Sequence, residues 1–124
     1  MSNRSLGNYG EYLAGQYLRS KGYLILEKNF RNKLGEIDLI ARDGKTICFV
    51  EVKTRQSLQQ GQPYEAVTPW KVRKLSQMAT FYLKHKYHSL EIPSRFDVIS
   101  ILQDKEGACH IEHIKNAFDS TYWK

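Results

Sequence analysis

Cysteine and long apolar runs are both scarce in this chain, and each shortage closes off a class of protein. Only two cysteines, Cys48 and Cys109, occur in 124 residues, too few for a disulfide framework to stand in for a hydrophobic core. Cys48 alternates onto the apolar side of a strand-like run and Cys109 opens another, so both read as small apolar residues. No CxxC accompanies the histidine pairs His85/His88 and His110/His113, which removes the usual closure of a tetrahedral zinc site. No stretch approaches the roughly 20 apolar residues of a membrane span, and Met1-Ser2-Asn3-Arg4-Ser5 lacks the apolar core of a signal peptide. The expectation is a cytoplasmic protein without membrane attachment. With no internal repeat and no second-domain boundary, residues 1–124 read as one domain.

What is present in excess is positive charge. Nineteen Lys and Arg against 13 Asp and Glu give +6 and a pI near 9.3, a balance that favours a polyanionic partner such as nucleic acid without identifying one.

Against that basic background stands an acidic hairpin. Asp43-Gly44 separates two runs rich in β-branched and aromatic residues, a strong hairpin signal. With a strand period of 2, Glu36, Asp38 and Ile40 share one face of the first strand, and Ile47, Phe49, Glu51 and Lys53 share the same face of the second. A turn of Asp43-Gly44 alone sets Asp38 opposite Phe49 and diagonal to Glu51. A turn that also takes in Lys45 and Thr46 sets Asp38 directly opposite Glu51. Both registers hold the two carboxylates within roughly 8 Å.

Like charges facing each other across a ladder repel, and a divalent cation relieves that repulsion. Mg²⁺ favours one or two carboxylates together with water and phosphate oxygens. Lys53 would reach the same point, where an ammonium can orient a water or steady charge developing on a phosphate. The plainer reading of the same residues is a solvated strand face with a Glu51–Lys53 ion pair. The apolar run Cys48-Phe49-Val50 just before Glu51 speaks against a wet face.

Asp38, Glu51-Val52-Lys53 and the intervening hairpin resemble the signature of PD-(D/E)xK nucleases, the restriction-endonuclease-like superfamily. More closely, the chain resembles the bacterial YraN family, itself similar to archaeal Holliday-junction resolvases. The residues that carry the likeness run through Gly10-Glu11, Ala14, Gly22-Tyr23, Asn29-Phe30-Arg31, Gly35-Glu36-Ile37-Asp38-Leu39-Ile40, Val50-Glu51-Val52-Lys53-Thr54-Arg55, Val67-Thr68, Lys71, Arg95-Phe96-Asp97-Val98 and Asn116-Ala117-Phe118. Ile37 stands where the superfamily often has proline.

The resemblance implies an α/β fold with a mixed central sheet flanked by helices, in the order α-β-β-β-α-β-β. It implies a metal-dependent nuclease acting on structured or single-stranded DNA, in repair or recombination. Asp38, Glu51 and the Val52 carbonyl would hold Mg²⁺ or Mn²⁺, Lys53 would position the attacking water, and Glu11 would complete the shell. It also allows a homodimer, because resolvases cut symmetric substrates with paired sites. A non-catalytic nucleic-acid-binding module of the same fold is the competing reading. A third is an accessory protein whose acidic pocket serves a protein partner.

Elsewhere the signals are local. A helix is expected from Tyr9 to Lys21 with Gly22 as its stop, and Asn8-x-x-Glu11 is close to a capping box, which gives Glu11 a second, purely structural explanation. A strand follows from Tyr23 to Arg31, and Gln56 to Val67 reads as a loop. Thr68 and Pro69 announce a second helix with Val72, Leu75, Ala79, Tyr82 and Leu83 as its buried stripe. Strands are expected at Ser94 to Gln103 and, as a short edge, at Cys109 to Lys115. Asp97 is expected to pair with a nearby Arg, and Glu36 is an extra carboxylate of open role. Arg31, Lys33, Arg55, Lys71 and Arg73 form the expected track for DNA phosphates. Tyr122 and Trp123 in the tail have no assigned partner.

Overall fold

The computed structural model describes residues 3–56 and 68–118; the expected loop from Gln56 to Val67, beyond Gln56 itself, and the Tyr122-Trp123 tail lie outside them. The element order is α1 (Asn3–Ser20), β1 (Leu24–Asn32), β2 (Gly35–Asp43), β3 (Thr46–Arg55), α2 (Pro69–Tyr87), β4 (Ser94–Gln103) and β5 (Cys109–Phe118). The five strands form one sheet in sequence order. β1, β2 and β3 run antiparallel in succession, β3 pairs parallel with β4, and β5 returns antiparallel on β4. A parallel step needs a long crossover, and α2 lies within it. This is the mixed α/β, restriction-endonuclease-like arrangement that the resemblance implies. No helix among the described residues is long and apolar enough to cross a membrane.

Local chemistry explains the element ends. Gly22 takes φ +90°, and the Tyr23 N–H donates to Leu18 O while the Gly22 N–H donates to Arg19 O. These are the two bonds of a Schellman stop, which needs a left-handed residue where Gly22 stands. At the start of α2, Thr68 Oγ1 accepts from the Lys71 N–H at 3.2 Å and Pro69 occupies the first turn, as a side-chain cap followed by proline should. The hairpin turn holds Gly44 at φ +60°, and Asp43 pairs with Thr46.

The two faces of the sheet carry separate cores. Under α2 lie Ile37, Ile40, Ile47, Phe49 and Phe96, packed against Leu75, Met78, Ala79, Tyr82 and Leu83. Under α1 lie Leu39, Ala41, Cys48, Val50, Ile99 and Ile101, packed against Ala14, Leu18 and Tyr23. The approach of α1 is close enough that a Cβ on Gly10 would collide with Thr54 Cγ2. Gly10 thus sets how near the following residue, Glu11, comes to the sheet.

Two boundaries and one buried stripe differ from expectation. α1 begins at Asn3, well before Tyr9, so Asn8 is inside the helix and cannot be its N-cap. Met78 joins the buried stripe of α2, while Val72 is only half-buried. β5 runs on to Phe118 because Phe118 stacks on its neighbour Phe96 with ring centroids 4.8 Å apart. A break in register between Phe96 and Val98 accommodates the extension.

Candidate metal centre and nucleic-acid interface

Asp38 sits where β2 and β3 part. Their ladder runs from Asp43↔Thr46 to Leu39↔Val50, and one more step in that register sets Asp38 opposite Glu51, the second of the two registers weighed from sequence. At that step the Val52 N–H donates to Asp38 Oδ2 at 2.8 Å. A side-chain carboxylate thus takes a strand amide that would otherwise seek a carbonyl on β2.

Strict alternation fails beside this gap. Ile37 and Ile40 both pack on the α2 side, whereas Leu39 and Ala41 pack under α1. Asp38 consequently turns toward α1 and meets Glu36 and Glu11, one carboxylate oxygen of each lying within 4.8 Å of the others. Glu51, in phase with Ile47 and Phe49, leans toward α2, where Lys71 Nζ donates to its Oε1 at 2.6 Å. The carboxylates therefore do not share one face, as the period alone suggests, but border the gap from two sides.

Because Asn8 is not a cap, the structural explanation of Glu11 falls away. Glu11 belongs to the acidic group, and the residue that binds the group together is Asn29. Asn29 lies between the pairs Lys28↔Leu39 and Phe30↔Ile37, hence beside Asp38, with φ +51°. In the amide orientation its neighbours require, its nitrogen donates to Glu36 Oε1 at 2.8 Å and to Glu11 Oε1 at 2.6 Å. Sequence reasoning did not single out Asn29 as a site residue. The available signal was an Asn in a strand interior, a position such a residue takes readily only where a left-handed backbone is needed.

The electrostatics follow from this crowding. Burial pushes the Asp38 carboxyl up to about 7, and the negative charges of Glu51, Glu11 and Glu36 push the same way against the single opposing Val52 amide. Glu11 is raised too, by burial first and then by Glu36 and Glu51, with Arg31 pulling it back. All the donor atoms are hard oxygens, the set that Mg²⁺ and Mn²⁺ prefer and that zinc or copper sites seldom use alone.

Of the expected cations, Lys53 is half-buried two residues beyond Glu51, and Lys71 is engaged by Glu51. Arg31 Nε meets Glu36 Oε2 at 3.1 Å while remaining largely exposed. Lys33 and Arg73 are exposed. Arg55, placed on the phosphate track by its sequence position, is 7% exposed, which takes it off the open surface. Beside the acids opens a cavity of about 240 Å³ lined by Asn8, Glu11, Tyr12, Lys28, Asn29 and Leu39.

Asp97 behaves as the pairing partner expected of it. Arg95 Nε donates to its two oxygens at 3.0 and 3.2 Å, the Asn116 N–H donates at 3.0 Å, and His113 Nε2 lies 2.8 Å away. Arg95 also reaches Asp43 and the Tyr23 hydroxyl, locking β4 to the hairpin turn.

The family model described as Uncharacterised protein family UPF0102 matches residues 10–101. The chain belongs to that family. A UPF0102 protein of Geobacter metallireducens is 52% identical over 122 residues, covering 98% of each chain. One of Geotalea uraniireducens is 52% identical over 120 residues, 97% of this chain and 94% of its own. One of Syntrophomonas wolfei is 52% identical over 116 residues, 94% of this chain and 99% of its own. The span matched by the family model takes in Glu11, Asn29, Glu36, Asp38, Glu51, Lys53 and Lys71.

Proposed function

We propose that this chain is a Mg²⁺- or Mn²⁺-dependent nuclease that hydrolyses phosphodiester bonds in structured or single-stranded DNA. The observation that carries the reading is Asp38, a half-buried carboxylate with one amide donor and three acidic neighbours at the gap between two strands. Such a group is unfavourable in a fold unless a cation or a proton joins it. Asp38, Glu51 and the Val52 carbonyl would hold the ion, with Glu11 and Glu36 at its edge. Such an ion, when bound, would supply Lewis-acid chemistry, offsetting phosphate charge and lowering the pKa of water.

The remaining work falls to side chains of this chain. Lys53, on the same side of β3 as Glu51, orients the attacking water and offsets the charge that builds on the phosphorane. Asn29 holds Glu11 and Glu36 in place. Lys33 and Arg73 meet phosphates farther along the strand, as does Arg31 from its exposed side, and such backbone contacts position the strand without reading its sequence. Lys71 neutralises Glu51 and stands close enough to meet a phosphate in turn.

The second reading, a nucleic-acid-binding module without catalysis, draws support from the Glu51–Lys71 pair itself, which gives one acid of the group a protein partner at 2.6 Å. Branched, flapped, single-stranded and duplex DNA and RNA, each offered with Mg²⁺ and with Mn²⁺, separate the two. The nuclease cleaves at least one DNA substrate, and Lys53→Ala abolishes cleavage while affinity in Ca²⁺ stays within a few fold. Wild type that binds DNA in Ca²⁺ yet never cleaves above the Lys53→Ala background is the module instead.

A further inference from the structure

The cavity beside the acids has walls of unlike chemistry. Tyr12, on α1 next to Glu11, is 57% exposed. Leu39 is 1% exposed and gives an apolar floor, Asn8 and Asn29 bring amides, and Lys28 brings a cation from β1. An exposed aromatic that lines a cavity, rather than capping a core, keeps a free π-face for a planar ligand. At about 240 Å³ the space falls below the roughly 300 Å³ at which drug-sized pockets begin, so it takes one ring system rather than a base pair.

We infer that the cavity receives a single unpaired nucleobase next to the scissile phosphate, stacked on Tyr12 and met at its edge by Asn8, so that the preferred substrate is single-stranded or flapped rather than fully duplex. Only the position of that base beside the scissile phosphate rests on the nuclease reading. A base inside a duplex has both faces stacked on its neighbours and its edge paired, so neither Tyr12 nor the Asn8 amide could engage it without extrusion. Lys28 meets the backbone of the same nucleotide, since a phosphate flanks every base. An acidic peptide would instead set carboxylates beside Glu11, Glu36 and Asp38 with nothing planar to stack.

The test turns on two strands of equal charge, one with bases and one without. Fluorescence anisotropy in Ca²⁺ is measured for a short thymidine oligonucleotide, an abasic strand of the same length and the matching duplex, with the full chain as wild type, Tyr12→Ala and Tyr12→Phe. Stacking of one base predicts that wild type prefers the base-bearing strand over the abasic one by about tenfold. Tyr12→Ala collapses that preference, and Tyr12→Phe, which keeps the ring, retains it. Because Tyr12 is exposed, neither variant loses the core.

Equal affinity of wild type for the base-bearing and abasic strands overturns the inference, and so does a preference that survives Tyr12→Ala. Neither result touches the nuclease reading, which a cleavage assay in Mn²⁺ decides on its own. A base preference carried by Tyr12 in a protein that never cleaves would retain the cavity assignment and remove the nuclease. Failure of wild type to bind any of these strands removes the cavity assignment and leaves the nuclease to the cleavage assay.

Discussion

Asp38 and Asp97 occupy comparable places in the sheet and meet opposite fates. Each lies on a strand beside an asparagine with positive φ on the neighbouring edge strand, Asn29 at +51° and Asn116 at +52°. Asp97 is fully buried, and burial by itself would raise its pKa. His113, the Asn116 amide and Arg95 outweigh that and hold it below the usual carboxylate range. Among the described residues Asp38 accepts from the Val52 amide, and its neighbours are Glu51, Glu11 and Glu36. A carboxylate whose donors are all supplied by the protein fastens strands together. One whose neighbours are other carboxylates is set up for a cation from outside.

The largest expected effect inverts the two sites with the same substitution. Asp97→Asn leaves the Arg95 guanidinium without its buried counter-charge and should lower stability by about 3–5 kcal/mol. Asp38→Asn keeps an acceptor for the Val52 N–H but removes a charge from the crowd. In chelator it should raise stability, by on the order of 1 kcal/mol, since each pKa unit of displacement is worth about 1.4 kcal/mol. Urea unfolding of both variants beside wild type gives the two signs directly, and a loss at Asp38 as large as at Asp97 would erase the distinction.

Removing Lys71 probes Glu51 in the same way. Glu51 is 8% exposed, so Lys71→Met strands a nearly buried charge and should cost about 1–3 kcal/mol in chelator. Mn²⁺ should recover part of that loss by taking the place of the ammonium, which differential scanning calorimetry with and without the ion would register. Gly10→Ala should cost a comparable 1–3 kcal/mol, about the range for overpacking, because the new methyl meets Thr54. It should also weaken Mn²⁺ binding by moving Glu11 outward, an effect that calorimetric titration separates from the loss of stability.

These expectations show what was readable in the chain and what was not. The hairpin, the Thr68-Pro69 start, the Gly22 stop and the Ser94–Gln103 strand rest on signals a few residues long, and they stand in the fold where the local chemistry puts them. Asp38 and Glu51 emerged from the strand period, and their opposition from the second of two open registers. Lys71 as the partner of Glu51, the tie made by Asn29, and the burial of Arg55 depend on which helix lies over which face. Those are long-range facts without a local signal. The early start of α1, which removed the capping role of Glu11, is of the same kind.

The smallest expected effect is a pH trend. The folded chain keeps the Asp38 proton up to about pH 7, whereas an unperturbed carboxyl releases it near 3.8. Between those values the folded state binds more protons than the unfolded one, so this contribution to stability is full below about pH 4, declines as the pH rises and is gone above 7. Asp97 works in the other direction, its contribution being lost as the pH falls through its lowered pKa. In chelator, wild type should therefore lose stability relative to Asp38→Asn between pH 5 and pH 7, approximately the window set by linkage. Parallel curves for the two proteins would mean that Asp38 is not strained.

The most direct measurement is a calorimetric titration of Mn²⁺ into wild type, Asp38→Asn and Asp97→Asn above pH 7, where Asp38 is ionised. Wild type should bind one ion, Asp38→Asn should lose that binding, and whatever fraction of Asp97→Asn stays folded should retain it. Equal Mn²⁺ affinity in wild type and Asp38→Asn would contradict a metal site at Asp38.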